Sequence, residues 1–124
     1  MSTTPFGWRD FLVLANQLLD DAGGKVPEAR LRTATSRAYY AAYCECKSYA
    51  VLNLGYVPSN DVDDHFNVRK AFRDHGREGD ARDLRQLRDW RDRCDYEPQV
   101  PGICAMTVNA IEKAKMLLAR LESG

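Results

Sequence analysis

Apolar residues recur along most of the chain at intervals of three and four, the spacing that places side chains on one face of an α-helix. The first such run carries Phe11, Leu14 and Leu18 and predicts a helix from about Pro5 to about Asp20. A last run, from about Ile103 to about Leu121, carries a continuous apolar stripe at the same spacing. No segment shows the alternation that predicts a half-buried strand.

Glycine and proline separate three further helices between these two runs. A long second helix is expected from about Glu28 to about Leu54, and a short third helix from about Asp64 to about Asp74. The fourth helix is expected to begin at Asp80 as its cap and to extend into the segment that ends at Pro98. The pattern predicts an all-α fold, an antiparallel up-and-down bundle of four to five helices, in a single domain of residues 1–124.

The fourth predicted helix carries a charged residue on its apolar face. Leu87 and Cys94 mark this face, and Arg91 lies on it, four residues after Leu87 and three before Cys94. A guanidinium is rarely buried without a partner, and Asp95 lies one helical turn further along the same face. One interpretation is an ion pair that stabilises the end of the helix. The other is a small polar site formed by Arg91, Asp95 and the adjacent Tyr96.

The middle of the second predicted helix, residues 35–44, alternates small residues with tyrosines in the sequence TSRAYYAAYC. Small residues permit the close approach of another helix, so the segment is interpreted as a packing seam. In addition, Ser36, Arg37 and Tyr40 could lend polar groups to a site around Arg91.

The same seam suggests an assembly. A charged residue on an apolar face beside small residues is an arrangement that a symmetric second copy of the chain could complete with matched charges. We therefore expect a homodimer, with Arg91 next to the alanines at 38, 41 and 42.

Composition and charge narrow the class of protein. The 124 residues are 44% hydrophobic and 29% charged, which is typical of a soluble globular domain. Eighteen basic and eighteen acidic residues cancel, which excludes binding to nucleic acid by bulk charge alone. Residues 69–93 hold nine basic and six acidic residues, and the spacing of Arg85 to Asp89 and of Arg88 to Asp92 predicts ion pairs that neutralise much of this patch. The basic residues of this segment that are not neutralised form a weak basic patch, which a phosphate backbone could contact.

Cysteine and histidine spacing predicts no metal site. Cys44 and Cys46 are two residues apart, no C-x-x-C pair occurs, and His65 and His75 have no third ligand patterned near them. No metal and no cofactor are expected. No stretch approaches the roughly 18 apolar residues that span a bilayer, and the amino terminus lacks a signal pattern, so a cytoplasmic protein without membrane contact is expected.

Two motifs resemble those of a known family. Residues 36–43 read SRAYYAAY on the second helix, and residues 84–96 read LRQLRDWRDRCDY on the fourth, with His65 at the start of the third. Together they resemble the HEPN family, and most of all its small bacterial and archaeal members with S-R-A-Y-Y-A and R-x-x-A-D-Y motifs. The resemblance extends from about Phe6 to Leu121 and implies the same helical bundle.

The resemblance also implies an activity and partners. Many HEPN proteins are homodimers in which paired fourth-helix motifs, an Arg followed after four to six residues by a His, form a metal-independent ribonuclease site. Many are toxins encoded beside a minimal nucleotidyltransferase that acts as antitoxin. The resemblance therefore implies a toxin or defence ribonuclease that acts on RNA, with Arg91, Asp95 and Tyr96 as catalytic residues and with substrate-binding residues Ser36, Arg37, Tyr40, Asp92 and His65.

Tyr96 departs from the family pattern, because it holds the position where the motif His falls after four intervening residues. A histidine with a reference pKa of about 6.5 exchanges a proton near neutrality, whereas a tyrosine near 10 stays protonated. Asp95 could act as a base only with a raised pKa, and the charge of Arg91 opposes this. Two functions therefore stay open: slow metal-independent RNA cleavage, or a non-catalytic HEPN module that binds a nucleotide, an RNA or a protein partner.

Overall fold

The computed structural model describes residues 6–20 and 25–123, and this part of the chain contains five helices and no strand. The all-α helical bundle predicted from the sequence is confirmed. The helices are α1 (Asp10–Leu19), α2 (Glu28–Asn53), α3 (Asp63–Asp74), α4 (Glu78–Tyr96) and α5 (Ile103–Ser123). In the described ranges, none of these helices combines the length and apolar character that a membrane span requires.

Two helix starts differ from their predicted positions. α1 begins at Asp10 and not near Pro5, which lies outside the described residues. A tight turn precedes α1, in which the Asp10 N–H donates to the Gly7 carbonyl at 2.9 Å. Three aromatic rings, with centroids 5.1 to 5.9 Å apart, pack around this turn and hold it out of the helix: Phe6, Trp8 and Phe11.

α4 begins at Glu78, two residues before the expected cap at Asp80. The Asp80 carboxylate does not cap the helix, because it accepts hydrogen bonds from Arg77 at 2.7 Å and from Arg120 at 2.6 Å. These two ion pairs hold the start of α4 against the end of α5, and Asp80 is buried between them.

α2 is the central helix, and it packs against each of the other four. Its small residues make this possible, because a helix surface of alanine lets neighbouring backbones approach closely. The alanines at 38, 41 and 42 are consequently fully buried within one chain. This corrects the argument for a dimer through that seam, since the bundle itself already occupies it.

Contacts at the two ends of the helices define their directions. Arg32, near the start of α2, donates to the carbonyl oxygens of Cys94 and Glu97 at the end of α4, at 2.8 and 2.6 Å. Arg77, just before α4, donates to the hydroxyl of Tyr49 near the end of α2. α2 and α4 therefore run antiparallel, and the pairing of the start of α4 with the end of α5 makes those two antiparallel as well.

α3 begins beside the middle of α2, where His65 contacts Tyr39, and it ends near Tyr49, where Phe72 packs. Loop 54–62 carries the chain back along the bundle, so α3 runs in the same direction as the second half of α2. The side chains of Val68 and Phe72 on α3 are both buried in the core. This course places the first turn of α3 next to the last turns of α4.

Asp64 holds loop 54–62 in place. Its buried carboxylate accepts the backbone N–H groups of Ser59 and Asn60, both at 2.8 Å, and the hydroxyl of Tyr56. It also forms a 3.1 Å ion pair with Lys47. Burial acts to raise the pKa of Asp64, but the hydrogen bonds outweigh it and lower that pKa well below its usual range. The fixed loop in turn positions the next residue, His65.

Candidate functional site

A groove of about 500 Å³ lies where α2, α3 and the end of α4 meet. Three arginines and two carboxylates line it, so its charge is mixed with a small basic excess. We call it the His65–Arg91 groove, after the two titratable side chains on its opposite walls. Its polar lining includes Tyr40, His65, Arg88, Arg91, Asp92 and Tyr96.

Arg91 is buried, with only 7% of its surface exposed, as its place on the apolar face predicted. Its Nη2 lies 3.0 Å from the Asp92 carboxylate, and its Nη1 lies 3.6 Å from that of Asp95. Nη1 also donates to the hydroxyl of Tyr40 at 3.3 Å, and the guanidinium lies 5.2 Å from the ring centre of Tyr39. The predicted Arg91–Asp95 ion pair is confirmed, and the guanidinium is held by groups on two helices. Its Nε is buried and has no hydrogen-bond partner among the described residues.

His65 faces this guanidinium from α3. Its Nδ1 is hydrogen-bonded to the hydroxyl of Tyr39, and its ring stacks on Tyr43 with 4.1 Å between centroids. Burial, together with the positive charges of Arg88 and Arg91, lowers the pKa of His65 to about 4. The imidazole is therefore neutral at pH 7, and Nε2 is the nitrogen left for a ligand.

Arg88 lines the groove, and it does not form the ion pair that its spacing from Asp92 predicted. The predicted ion pair with Asp92 is wrong, because Asp92 pairs with Arg91 instead. The predicted pair of Arg85 with Asp89 is also absent from the ion pairs of the described residues. The Nε of Arg88 is buried and has no hydrogen-bond partner in the described chain.

Tyr96 stands at the rim of the groove, where 75% of its surface is exposed. It shares the groove with Arg91 but forms no hydrogen bond with any described residue. The Asp95 side chain pairs with Arg91 from behind and is not part of the groove lining. Of the three predicted catalytic residues, the structure therefore brings two to the groove surface.

Ser36 and Arg37 do not reach the groove. Ser36 is buried, and the guanidinium of Arg37 lies over the ring of Phe11 on α1, 4.8 Å from its centre. The same guanidinium is 5.0 Å from the ring centre of Tyr40. Arg37 therefore packs against Tyr40, whereas the other predicted substrate-binding residues, Tyr40, Asp92 and His65, line the groove.

The groove offers guanidinium, phenol and imidazole groups, which recognise anions. Guanidinium N–H donors match the oxygens of a phosphate, and a neutral imidazole offers either a donor or an acceptor at Nε2. Within residues 6–20 and 25–123, no three His, Cys, Asp or Glu side chains are grouped so that they could hold a metal ion. The four cysteines are free thiols, and burial raises the pKa of Cys94.

Comparison with protein-family models, with curated proteins and with solved structures found no match for this chain.

Proposed function

We propose that this chain acts on RNA as a HEPN-type toxin or defence ribonuclease, and that the His65–Arg91 groove binds and cleaves a phosphodiester without a metal ion. One observation carries the proposal. Arg88 and Arg91 both line one groove, each with a buried Nε–H that has no partner in the described chain, and a neutral histidine lines the same groove. A bound phosphate supplies the acceptors that these donors lack.

Cleavage by this route moves two protons. The 2′-hydroxyl attacks the adjacent phosphorus, the bond to the 5′-oxygen breaks, and the products are a 2′,3′-cyclic phosphate and a 5′-hydroxyl. In the tautomer whose Nδ1–H donates to the Tyr39 hydroxyl oxygen, His65 Nε2 accepts the proton of the 2′-hydroxyl, and the Tyr96 hydroxyl donates a proton to the leaving 5′-oxygen. Arg88 and Arg91 stabilise the charge that develops on the phosphorane oxygens.

The low pKa of His65 makes it a weak base in the free protein. Two of its causes are the charges of Arg88 and Arg91, and an RNA phosphate bound between them offsets those charges. The bound phosphate therefore acts to raise the pKa of His65, against the burial that lowers it. The missing motif histidine at position 96 is replaced in this scheme by a histidine from α3.

The resemblance to the HEPN family adds two partners to the proposal, a second copy of the chain and a nucleotidyltransferase. A homodimer would place two such grooves near one cleft, and a minimal nucleotidyltransferase would act as antitoxin. Because the alanine seam of α2 is buried, the dimer contact has to use another surface, and the exposed end of α4 around Tyr96 is the part of the motif that a second copy can reach. The mass of the purified protein in solution, measured by light scattering at micromolar concentration, tests the dimer.

The cleavage test uses a labelled 20-nucleotide RNA in excess chelator. Wild type is compared with Arg91→Ala, His65→Gln and Tyr96→Phe, and with Lys115→Ala on the exposed surface of α5 as matched control. The proposal predicts cleavage by wild type and Lys115→Ala, background cleavage by Arg91→Ala and His65→Gln, and slower cleavage by Tyr96→Phe. It also predicts that a 2′-deoxy substitution at the cut site protects the RNA. Intact RNA after incubation with correctly folded wild-type protein would reject the ribonuclease.

A non-catalytic module that binds a nucleotide, an RNA or a protein partner is the second candidate. The observation that favours it is the pairing of Arg91 with both Asp92 and Asp95, which already compensates its charge. Under this candidate the same RNA binds in the groove and remains intact, and Arg91→Ala weakens binding without any change in turnover. Binding and cleavage measured on one RNA therefore separate the two functions.

A further inference from the structure

A second groove, of about 280 Å³, lies on the outer side of α3 and α4. Four arginines line it and one carboxylate, that of Glu78, faces them. We call it the arginine groove, and its basic residues are Arg69 and Arg73 from α3 and Arg82 and Arg85 from α4. The catalytic scheme above uses none of these residues.

Arg69 is the buried member of this groove. Only 8% of its surface is exposed, and its Nη1 has no hydrogen-bond partner in the described chain. Burial, and next the charge of Arg88, lower the pKa of Arg69. A buried cation without a counter-ion is costly, and such a group is retained where it meets a ligand.

The arginines here differ from those elsewhere in the protein. Arg32, Arg77 and Arg120 each form an ion pair with a carboxylate. By contrast, five arginines of α3 and α4 have no carboxylate within 4.0 Å in the part of the chain described. They are Arg69, Arg73, Arg82, Arg85 and Arg88. These five guanidiniums lie along two neighbouring helices, α3 and α4, although the chain as a whole is neutral.

Arginines of α4 line both grooves. Arg82, Arg85, Arg88 and Arg91 recur every three residues over about 14 Å of α4, and each step turns by about 60° around the helix, so the series passes from the exposed arginine groove to the buried Arg91. Arg88 lines the His65–Arg91 groove and lies close enough to Arg69 to influence its pKa. A single strand is flexible enough to follow this turn, so its backbone phosphates can contact arginines of both grooves.

An exposed aromatic ring accompanies the arginines. Phe66 on α3 has 51% of its surface exposed, and the guanidiniums of Arg69 and Arg73 lie 5.9 and 5.8 Å from its ring centre. Unpaired bases stack on aromatic rings and on guanidinium planes beside a basic backbone track. An acidic peptide would use the charges but not the ring, so the combination favours single-stranded RNA.

We propose that the arginine groove is a second RNA subsite, which binds backbone phosphates of the strand whose cleaved phosphate lies in the His65–Arg91 groove. This subsite rests on the proposed action on RNA. It extends recognition beyond the reacting nucleotide and gives longer RNA an advantage over short RNA. Arg69, through its buried and unpartnered Nη1, is the anchor of the subsite.

The test separates binding of a long RNA from cleavage of a short one. Arg73→Gln with Arg85→Gln removes two exposed charges from the arginine groove and leaves the buried Arg69 in place, so the fold is retained. Lys25→Gln with Lys115→Gln removes two exposed charges elsewhere as matched control. A single-stranded 12-nucleotide RNA is bound in a salt titration, and cleavage of a 3-nucleotide RNA is measured in parallel.

The proposal predicts that the arginine double variant binds the 12-nucleotide RNA on the order of tenfold more weakly, with the slope of log K against log salt reduced by roughly 0.7 per lost contact. The control variant binds like wild type. Cleavage of the 3-nucleotide RNA is unchanged in both.

Equal binding of the 12-nucleotide RNA by wild type and the arginine double variant would overturn the subsite, and continued cleavage of the short RNA would leave the proposed function standing. Displacement of the RNA by an equal charge of polyglutamate would assign the groove to an acidic protein and overturn the subsite as well. Arginine-dependent binding without cleavage by any variant would support the subsite and reject the ribonuclease.

Discussion

The hydroxyl of Tyr39 and the Nδ1 of His65 form a hydrogen bond that joins α2 to α3 at the base of the His65–Arg91 groove. Tyr39 is fully buried, and burial raises the pKa of its hydroxyl, which stays protonated at neutral pH. The pair fixes the imidazole so that Nε2 is its remaining nitrogen. Tyr39, on the central helix α2, thereby orients the imidazole of His65 in the groove.

Tyr39→Phe removes this hydrogen bond and retains the ring. We expect a loss of about 1–3 kcal/mol in the free energy of unfolding, because a half-buried imidazole nitrogen loses its partner. The urea unfolding midpoint measures the loss. Tyr43→Phe is the matched control, since Tyr43 stacks on the same imidazole but its hydroxyl forms no hydrogen bond with a described residue. An equal loss in both variants would contradict a specific role for the Tyr39 hydroxyl.

Stability is expected to depend on pH through His65, whose pKa falls from 6.5 to about 4 on folding. Between these two values the unfolded chain binds a proton that the folded chain does not. The free energy of unfolding therefore includes the full stabilising contribution of His65 above pH 6.5. This contribution decreases as the pH is lowered towards 4.

Urea unfolding at several pH values in this window checks the expectation. The difference between wild type and His65→Gln isolates the histidine from the carboxylates that titrate nearby. Parallel curves for wild type and His65→Gln would show that His65 does not contribute.

Asp64→Asn should be among the most destabilising single-atom changes in the chain. An amide cannot accept both backbone N–H groups of loop 54–62 and also pair with Lys47, so we expect a loss of about 3 kcal/mol. Asp61→Asn, at an exposed position in the same loop, should cost about 1 kcal/mol or less. Thermal unfolding of the two variants tests this contrast, and similar midpoints would argue against Asp64 as the anchor of the loop.

Thr35 and Thr107 form a buried contact between α2 and α5, with 2.9 Å between their hydroxyl oxygens. Each valine substitution should cost about 1 kcal/mol, and the double substitution less than the sum, because the first removes the partner of the second. A double-mutant cycle by urea unfolding measures the coupling. Thr33→Val, at an exposed position two residues earlier, should have little effect. Additive costs would show that the two hydroxyl groups act independently.

Local spacing accounts for the parts of the site that the sequence predicted correctly. The burial of Arg91 and its pairing with Asp95 follow from positions one turn apart on a single helix. The same rule failed for Arg88 and Asp92, because the choice between two arginines within reach of one carboxylate depends on which guanidinium the bundle buries. Periodicity does not contain that information.

The role of the alanine seam shows the same limit. Small residues on α2 indicate close packing, and the structure confirms that they are buried. Whether they pack against the same chain or a second copy depends on the number of helices that surround α2. Four neighbouring helices supply that packing within one chain.

The sequence by itself determined the helices, their order and the apolar faces that form an all-α bundle, because these follow from periodicity and from the breaks at glycine and proline. Only the tertiary structure decided that His65 lies opposite Arg91, 26 residues in sequence from the Tyr39 that holds it. It likewise decided that Arg69 and Arg73 of α3 share a groove with Arg82 and Arg85 of α4. These relationships join separate helices, and they are set by how the whole core packs around α2, which no local pattern encodes.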